Sequence, residues 1–344
     1  MPVRRLLSLW FSITSLMASA QHFSWHPIQP QTEASFRALS VVDDSVAWVA
    51  GTKGWVGKSV DGGSTWTFRQ VKDFEAFDFR SLYAFDESYA VIANAGAPAN
   101  ILVTDDGGES WQVVYTHPDS AAFFDGIDFW DRNNGLIYGD PIGGRMLLLS
   151  TRNGGRTWVE LPQRQRPPLE DGEASFAASG TNIRLQERQS VVIATGGKTS
   201  RLWTSDNSGR SWKTRTPPVL KGEPTTGIFS FSGFRGKAGV VVGGDYLRDT
   251  LTADHVFYTT DKGKSWERPG TPTRGYRECV EFIDDNTLIA TGPTGTEVSI
   301  DGGKTWTPES DERLFHVVRT ARNGRLVVIA GGKGKISILK RHDR

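Results

Sequence analysis

Short runs of alternating apolar and polar residues recur along the whole chain, the mark of half-buried strands. The first set reads Phe36–Val42, Val46–Ala50, Trp55–Ser59 and Trp66–Val71. Further sets begin at Phe79-Arg-Ser-Leu, at Phe124-Asp-Gly-Ile, at Ser175-Phe-Ala-Ala, near Thr226-Gly-Ile-Phe and at Tyr276-Arg-Glu-Cys. A seventh set, Leu314–Arg319, Arg325–Ala330 and Lys335–Lys340, stops one strand short. The missing strand is available at the other end. Phe23–Ile28 matches Thr65–Gln70, with Ser24-Trp25 standing where Thr65-Trp66 stand. The pattern predicts an all-β, seven-bladed propeller whose ring is closed by the N-terminal strand, which removes the open edges of an unclosed array. Residues 21–344 then form a single domain, with blade seven made of 314–340 plus 22–28. Leu161–Gly172, with Arg164, Arg166, Pro167 and Pro168, reads as a longer loop between blades.

One motif punctuates the sets six times, as Ser59–Trp66, Thr104–Trp111, Thr151–Trp158, Ser205–Trp212, Thr259–Trp266 and Ser299–Trp306. Its form is S/T-x-D/N-x-G-x-S/T-W. The acidic or amide positions Asp61, Asp106, Asn153, Asn207, Asp261 and Asp301 lie 45, 47, 54, 54 and 40 residues apart, a blade-like period. The Asp or Asn accepts hydrogen bonds from the backbone of a hairpin turn. The Gly supplies a positive φ without Cβ strain. The Trp (Trp66, Trp111, Trp158, Trp212, Trp266, Trp306) packs beneath the hairpin. Six equivalent turns point to a shared folding role rather than to a metal or sugar site.

Composition narrows the function classes. Lys+Arg total 40 against 39 Asp+Glu, a formal net charge of +1, which leaves no footprint for nucleic acid. Met1–Ala20 reads as a signal peptide: Arg4-Arg5, an apolar stretch from Leu6 to Met17, then Ala18-Ser19-Ala20. Its removal takes the net charge to −1 and predicts an exported protein, periplasmic or secreted. The stretch is short for a membrane span, and no Cys follows it to take a lipid. The single cysteine, Cys279, lies in a predicted strand and reads as a buried, inert thiol. The six His show no metal spacing, and no cofactor motif is present.

Candidate chemistry collects at the funnel face, opposite the motif turns. The first positions of the inner strands are Arg37, Arg80, Asp125, Ala177, Gly227, Arg277 and His316. Loops on the same face add Asp140, Asp245 and Tyr246, and Glu173, Ser175 and Tyr276 lie nearby. Arg37, Arg80 and Arg277 suit bidentate recognition of an anion, with Asp125, Asp140, Asp245, Tyr246 and His316 setting orientation. The competing reading is that these groups pair with one another and solvate the channel. A hydrolase would need two carboxyl groups at the right separation, with Asp125, Asp140, Glu173 and Asp245 as candidates.

The six motifs resemble the Asp-box, or bacterial neuraminidase repeat, of sialidases and related propellers. With Phe124–Trp130, Tyr138-Gly-Asp-Pro141, Gly172–Gly180 and Gly243-Gly-Asp-Tyr246, the chain resembles the photosystem II stability/assembly factors. It is most similar to their bacterial relatives, which are often labelled glycosyl hydrolase or oxidoreductase. That resemblance implies a monomeric binding or assembly scaffold with an arginine-rich surface. Its partner would be a protein, a membrane-associated one included, or a small anionic or carbohydrate ligand. Sialidases supply the alternative, a glycoside hydrolase. It would use Arg37, Arg80 and Arg277 as an arginine triad, Tyr276 or Tyr246 with Glu173 as the nucleophile pair, and Asp125 as a further catalytic residue. The sialidase Arg-Ile-Pro or Arg-Leu-Pro signature is absent, and most sialidase domains of this type have six blades.

Overall fold

The computed structural model describes residues 22–233 and 236–341. The expected signal peptide, residues 1–20, lies outside the described residues, as does His342. Seven antiparallel sheets follow one another around a ring. Blade one is Phe36–Val41, Ala47–Gly51, Trp55–Ser59 and Thr67–Gln70, from the innermost strand outward. Blades two, three and six repeat that plan from Asp78, Phe124 and Cys279. Blade five carries Thr226–Gly233, Gly239–Asp245 and Val256–Thr259, and Glu267 bridges Tyr258 at its outer side.

The ring closes as the alternation predicts. Phe23–Ile28 pairs antiparallel with Ile336–Arg341, from Phe23↔Arg341 to Ile28↔Ile336. Blade six fastens this strand, because both oxygens of the buried Glu309 accept from its start: His22 N at 2.9 Å and Phe23 N at 3.0 Å. Phe23 is buried with Phe36 and Phe315 in a cluster that joins blade seven to blades one and six. Five further apolar clusters likewise lie between neighbouring blades, so the core is distributed around the ring.

The six motif turns are hydrogen-bonded staples. Asp61 Oδ1 accepts from Thr65 N at 2.9 Å, and Oδ2 accepts from Thr65 Oγ1 at 2.6 Å. Ser59 Oγ accepts from Gly63 N, and Trp66 Nε1 donates to the Gly63 carbonyl at 3.1 Å. These bonds from Thr65 hold the Asp61 carboxyl down at about 2. Gly63 has φ 84°, and a Cβ there would lie 2.3 Å from Ile338 Cδ1 of blade seven. The turn therefore needs glycine both for its conformation and for the approach of the next blade. Asn153 and Asn207 keep the geometry: their Oδ1 atoms accept from Thr157 N and Ser211 N, and their Nδ2 atoms donate to the same residues' hydroxyls. Ser208 takes φ 57° where four of the other five turns have glycine.

The sequence pattern misplaces one strand. The inner strand of blade four is Ile183–Gln186, not the stretch from Ser175. Blade six starts its inner strand at Cys279, three residues after Tyr276. Cys279 is fully buried, and burial pushes its thiol up to about 11, consistent with an inert packing role.

Removing residues up to position 30 deletes the closing strand and is expected to lower the melting temperature sharply. Phe23→Ala alone should cost about 3–5 kcal/mol in chemical denaturation. A truncated chain that melts like the full one would exclude this role for the strand.

Candidate functional site

Five inner strands share one irregularity. The register slips by a residue between Phe36 and Ala38, Phe79 and Ser81, Phe124 and Gly126, Ile228 and Ser230, and Phe315 and Val317. Each slip is a bulge, which re-aims the extra residue. The bulged residues are Arg37, Arg80, Asp125, Phe229 and His316. Four of these were expected at the funnel; in blade five Phe229 replaces the expected Gly227.

A glycine on the facing strand marks each such site in four of these blades. A Cβ on Gly51, Gly139, Gly243 or Gly331 would lie 2.1, 1.8, 1.9 or 1.9 Å from the carbonyl oxygen of Ser35, Phe123, Gly227 or Leu314. In each case the bulged residue is two beyond that carbonyl. Gly292 stands in the same relation to the Tyr276 carbonyl, at 2.9 Å, which puts Glu278 in the corresponding place of blade six.

Arg277 therefore sits one residue away from that place. It is 0 % exposed, with Nε 2.5 Å from Glu297 Oε2 and Nη2 2.5 Å from Glu297 Oε1. Its guanidinium is held within blade six, and it leaves the proposed arginine triad. Glu278 takes the axial role instead: His316 Nδ1 lies 2.5 Å from its Oε2, and Arg37 Nη1 lies 3.4 Å from its Oε1. Burial opposes that charge, yet His316 and Arg37 hold the Glu278 carboxyl below its ordinary value. Deeper in, Arg184 Nη2 meets Glu281 at 2.6 Å, with Arg319 at 3.6 Å from the same oxygen.

The stretch expected as the inner strand of blade four crosses the axis. Ala178 O accepts from Arg37 at 3.1 Å, Ser179 Oγ donates to Glu278 O at 2.8 Å, and Gly180 O accepts from Arg319 at 3.4 Å. Thr181 Oγ1 lies 2.6 Å from Ser230 Oγ. Blades one, five, six and seven thus hold residues 178–181 across the channel. The void beside Arg80, Ser179 and Arg319 is about 10 Å³, room for no more than one water. Ala177 lies in this crossing segment rather than at a strand start.

The expected carboxylates serve several structural ends. Glu173 is 1 % exposed; it pairs with Arg201 and accepts from Thr195 Oγ1 at 2.6 Å and Trp203 Nε1 at 3.2 Å. That removes it from the nucleophile role. Asp140 accepts from Ser175 N at 3.0 Å, which pins the crossing segment. Asp245 accepts from Leu247 N and from Arg248 Nε, which shapes the loop bearing Tyr246.

Asp125 is 0 % exposed, and neither of its oxygens meets a donor in hydrogen-bonding geometry. Burial and then the Asp140 charge raise its carboxyl well above the usual range, against the opposing effects of Arg80 and the Ala177 amide.

At the mouth, Phe176 stacks on Phe229 with centroids 3.9 Å apart and planes 4° apart. Tyr276 packs edge-on against Phe229 at 4.7 Å, and Tyr246 packs edge-on against both Phe rings. Tyr276 is buried, whereas Tyr246 is 47 % and Leu247 is 74 % exposed. Arg37 remains partly exposed beside this platform, and Arg80, paired with Asp78 at 2.7 Å, is partly exposed near Asp125.

Comparisons with known proteins agree on the fold. Residues 17–120 match the family model described as photosynthesis system II assembly factor YCF48, which takes in blades one and two. The photosystem II assembly lipoprotein Ycf48 of Synechococcus sp. (strain CC9902) is 24 % identical, over 70 % of this chain and 74 % of that protein. A solved structure of YCF48 bound to D1 peptide superposes with a TM-score of 0.68 at 18 % identity, covering 93 % of this chain and 97 % of that one. YCF48 from Cyanidioschyzon merolae also gives 0.68, at 17 % identity, over 91 % and 98 %.

Two outcomes follow from the charges. Asp125→Asn should melt above the wild type at neutral pH. The folded-state carboxyl titrates above its unfolded value, so the wild type loses stability as pH rises through that folded value, and the two proteins should converge below about pH 4. Arg277→Ala should destabilise by about 3 kcal/mol, because the buried Glu297 loses its bidentate partner. An Arg277→Ala protein of unchanged stability would contradict this placement.

Proposed function

We propose that this chain, a seven-bladed β-propeller of the photosystem II assembly factor-like kind, is an exported docking module that holds a segment of a protein partner on its funnel face. The observation that carries the reading is the exposed Tyr246, standing edge-on against the Phe176–Phe229 stack with exposed Leu247 next to it in the chain and Arg37 near Tyr276. A rigid aromatic anchor next to a guanidinium is the composition of an interface hot spot, because it buries much area at little conformational cost. Arg37 and Arg80 would face acidic groups of the partner, and His316 with Glu278 would keep Arg37 in place. The relative solved with a bound D1 peptide supports a peptide-like occupant. Export rests on the Met1–Ala20 leader, and a relative described as a lipoprotein accords with it.

A segment lying across the mouth suits this surface better than a small substrate drawn into the channel, since residues 178–181 occupy the axis. The glycoside hydrolase alternative would need Asp125, Glu173 or Tyr276 to reach substrate, and all three are buried.

The test is binding of peptides from the exported loops and tails of membrane proteins to residues 21–344, wild type against Arg37→Ala/Tyr246→Ala. The variant is expected to bind at least about tenfold more weakly, about 1.4 kcal/mol, while remaining folded by circular dichroism at the assay temperature. Equal binding by the two proteins would defeat the reading. Turnover of chromogenic glycosides or sialosides, abolished by Asp125→Asn, would replace it with the hydrolase.

A further inference from the structure

A second cleft opens on the opposite face, between blades three and four, with a volume of about 430 Å³. That is the size range of a small-molecule site. Leu136 and Leu161 form its buried apolar floor. Trp130 lines it half-buried, with the indole N–H held by the Ser190 carbonyl at 2.9 Å. Arg152 and Arg210 stand exposed in its lining, and among the described residues neither has an ion-pair partner.

The motif turns make the positive sign of this cleft more than a matter of two arginines. Four of the six turns carry a charged Asp; the two that border the cleft are those carrying Asn153 and Asn207. Their hydrogen bonds reproduce those of the Asp turns, so the amides do the same structural work without charge. Two carboxylates are thereby missing beside Arg152 and Arg210. The carboxylate that does line the cleft, Asp131, is tied by the amides of Asn133 and Asn134 at 2.8 Å each and by the Asn134 side chain.

We propose that this cleft binds a small organic carboxylate with an apolar face, of about monosaccharide size. Arg152 and Arg210 take the carboxylate as planar, charge-assisted donors, and Trp130 covers the apolar face. A uronic acid and an N-acylated amino acid share this chemistry. The site lies on the face opposite the proposed docking surface and does not depend on it.

The test follows the indole N–H resonance of Trp130, assigned by its loss in Trp130→Phe, in the chain of residues 21–344. Glucuronate and N-acetylphenylalanine are the two probes, with methyl glucoside and N-acetylphenylalanine amide as their uncharged counterparts. Expected is a saturable shift with one acid, which identifies the source, and none with its counterpart. Arg152→Gln/Arg210→Gln should weaken it at least about tenfold. Asn153→Asp/Asn207→Asp, which restores the usual turn residue without touching the cleft wall, should weaken it as well. Arg37→Ala should leave it unchanged. The proposal is overturned by the absence of a saturable shift with either acid up to about 10 mM, by an equal response to the uncharged counterparts, or by undiminished binding in the double arginine variant.

Discussion

The pairing of Phe23–Ile28 with Ile336–Arg341 joins the two ends of the described chain in one sheet. Each blade buries its faces only against its neighbours, so an unclosed row would leave apolar faces of blades one and seven in water. Closure is reinforced away from the strand itself, by Glu309 of blade six accepting from the His22 and Phe23 amides. The axial contacts depend on it too. The crossing segment takes bonds from blades one, five, six and seven, which come within reach only when the ring is complete.

The two faces of the ring obey different constraints. On the motif face, short hydrogen bonds within eight residues set each turn, and the tryptophan and glycine tie it to neighbouring side chains. Those turns vary mainly where charge is concerned, as Asn153 and Asn207 show. On the funnel face the bulges turn residues of different chemistry to one axis: two arginines, a carboxyl, a phenyl ring and an imidazole. Their charges are largely met inside the ring. Arg37 and His316 share Glu278, and Arg184 and Arg319 share Glu281. Desolvating such groups is costly unless they are paired, so the network fills the channel and leaves recognition to the rim.

Much of the fold was legible in the chain. The six motifs and the alternating runs mark seven blades, and Trp25 falls where a motif Trp should stand, which exposes the closing strand. Legibility fails where pairing partners are distant. Ser175–Ala178 carries apolar residues at a plausible spacing, but these pack against Phe229 and its neighbours rather than in a strand ladder. The funnel residues were half legible: Arg37, Arg80, Asp125 and His316 lie where expected, while Ala177, Gly227 and Arg277 do not. In a strand one residue is the difference between the two faces, so Arg277 turns to Glu297 while Glu278 turns to the axis. The glycines on the facing strands, Gly243 and Gly292, were the available signal for Phe229 and Glu278.

The sequence by itself determined the class of fold, the number of blades and the strand that closes them, because these rest on local turns and on a period repeated along the chain. Only the tertiary structure decided that residues 178–181 cross the axis, that Arg277 is held by Glu297 while Arg37 reaches the mouth, and that Asn153 and Asn207 flank one cleft. Each of these is a meeting of segments tens to hundreds of residues apart, and no local pattern encodes which charge will find which partner once the ring has closed.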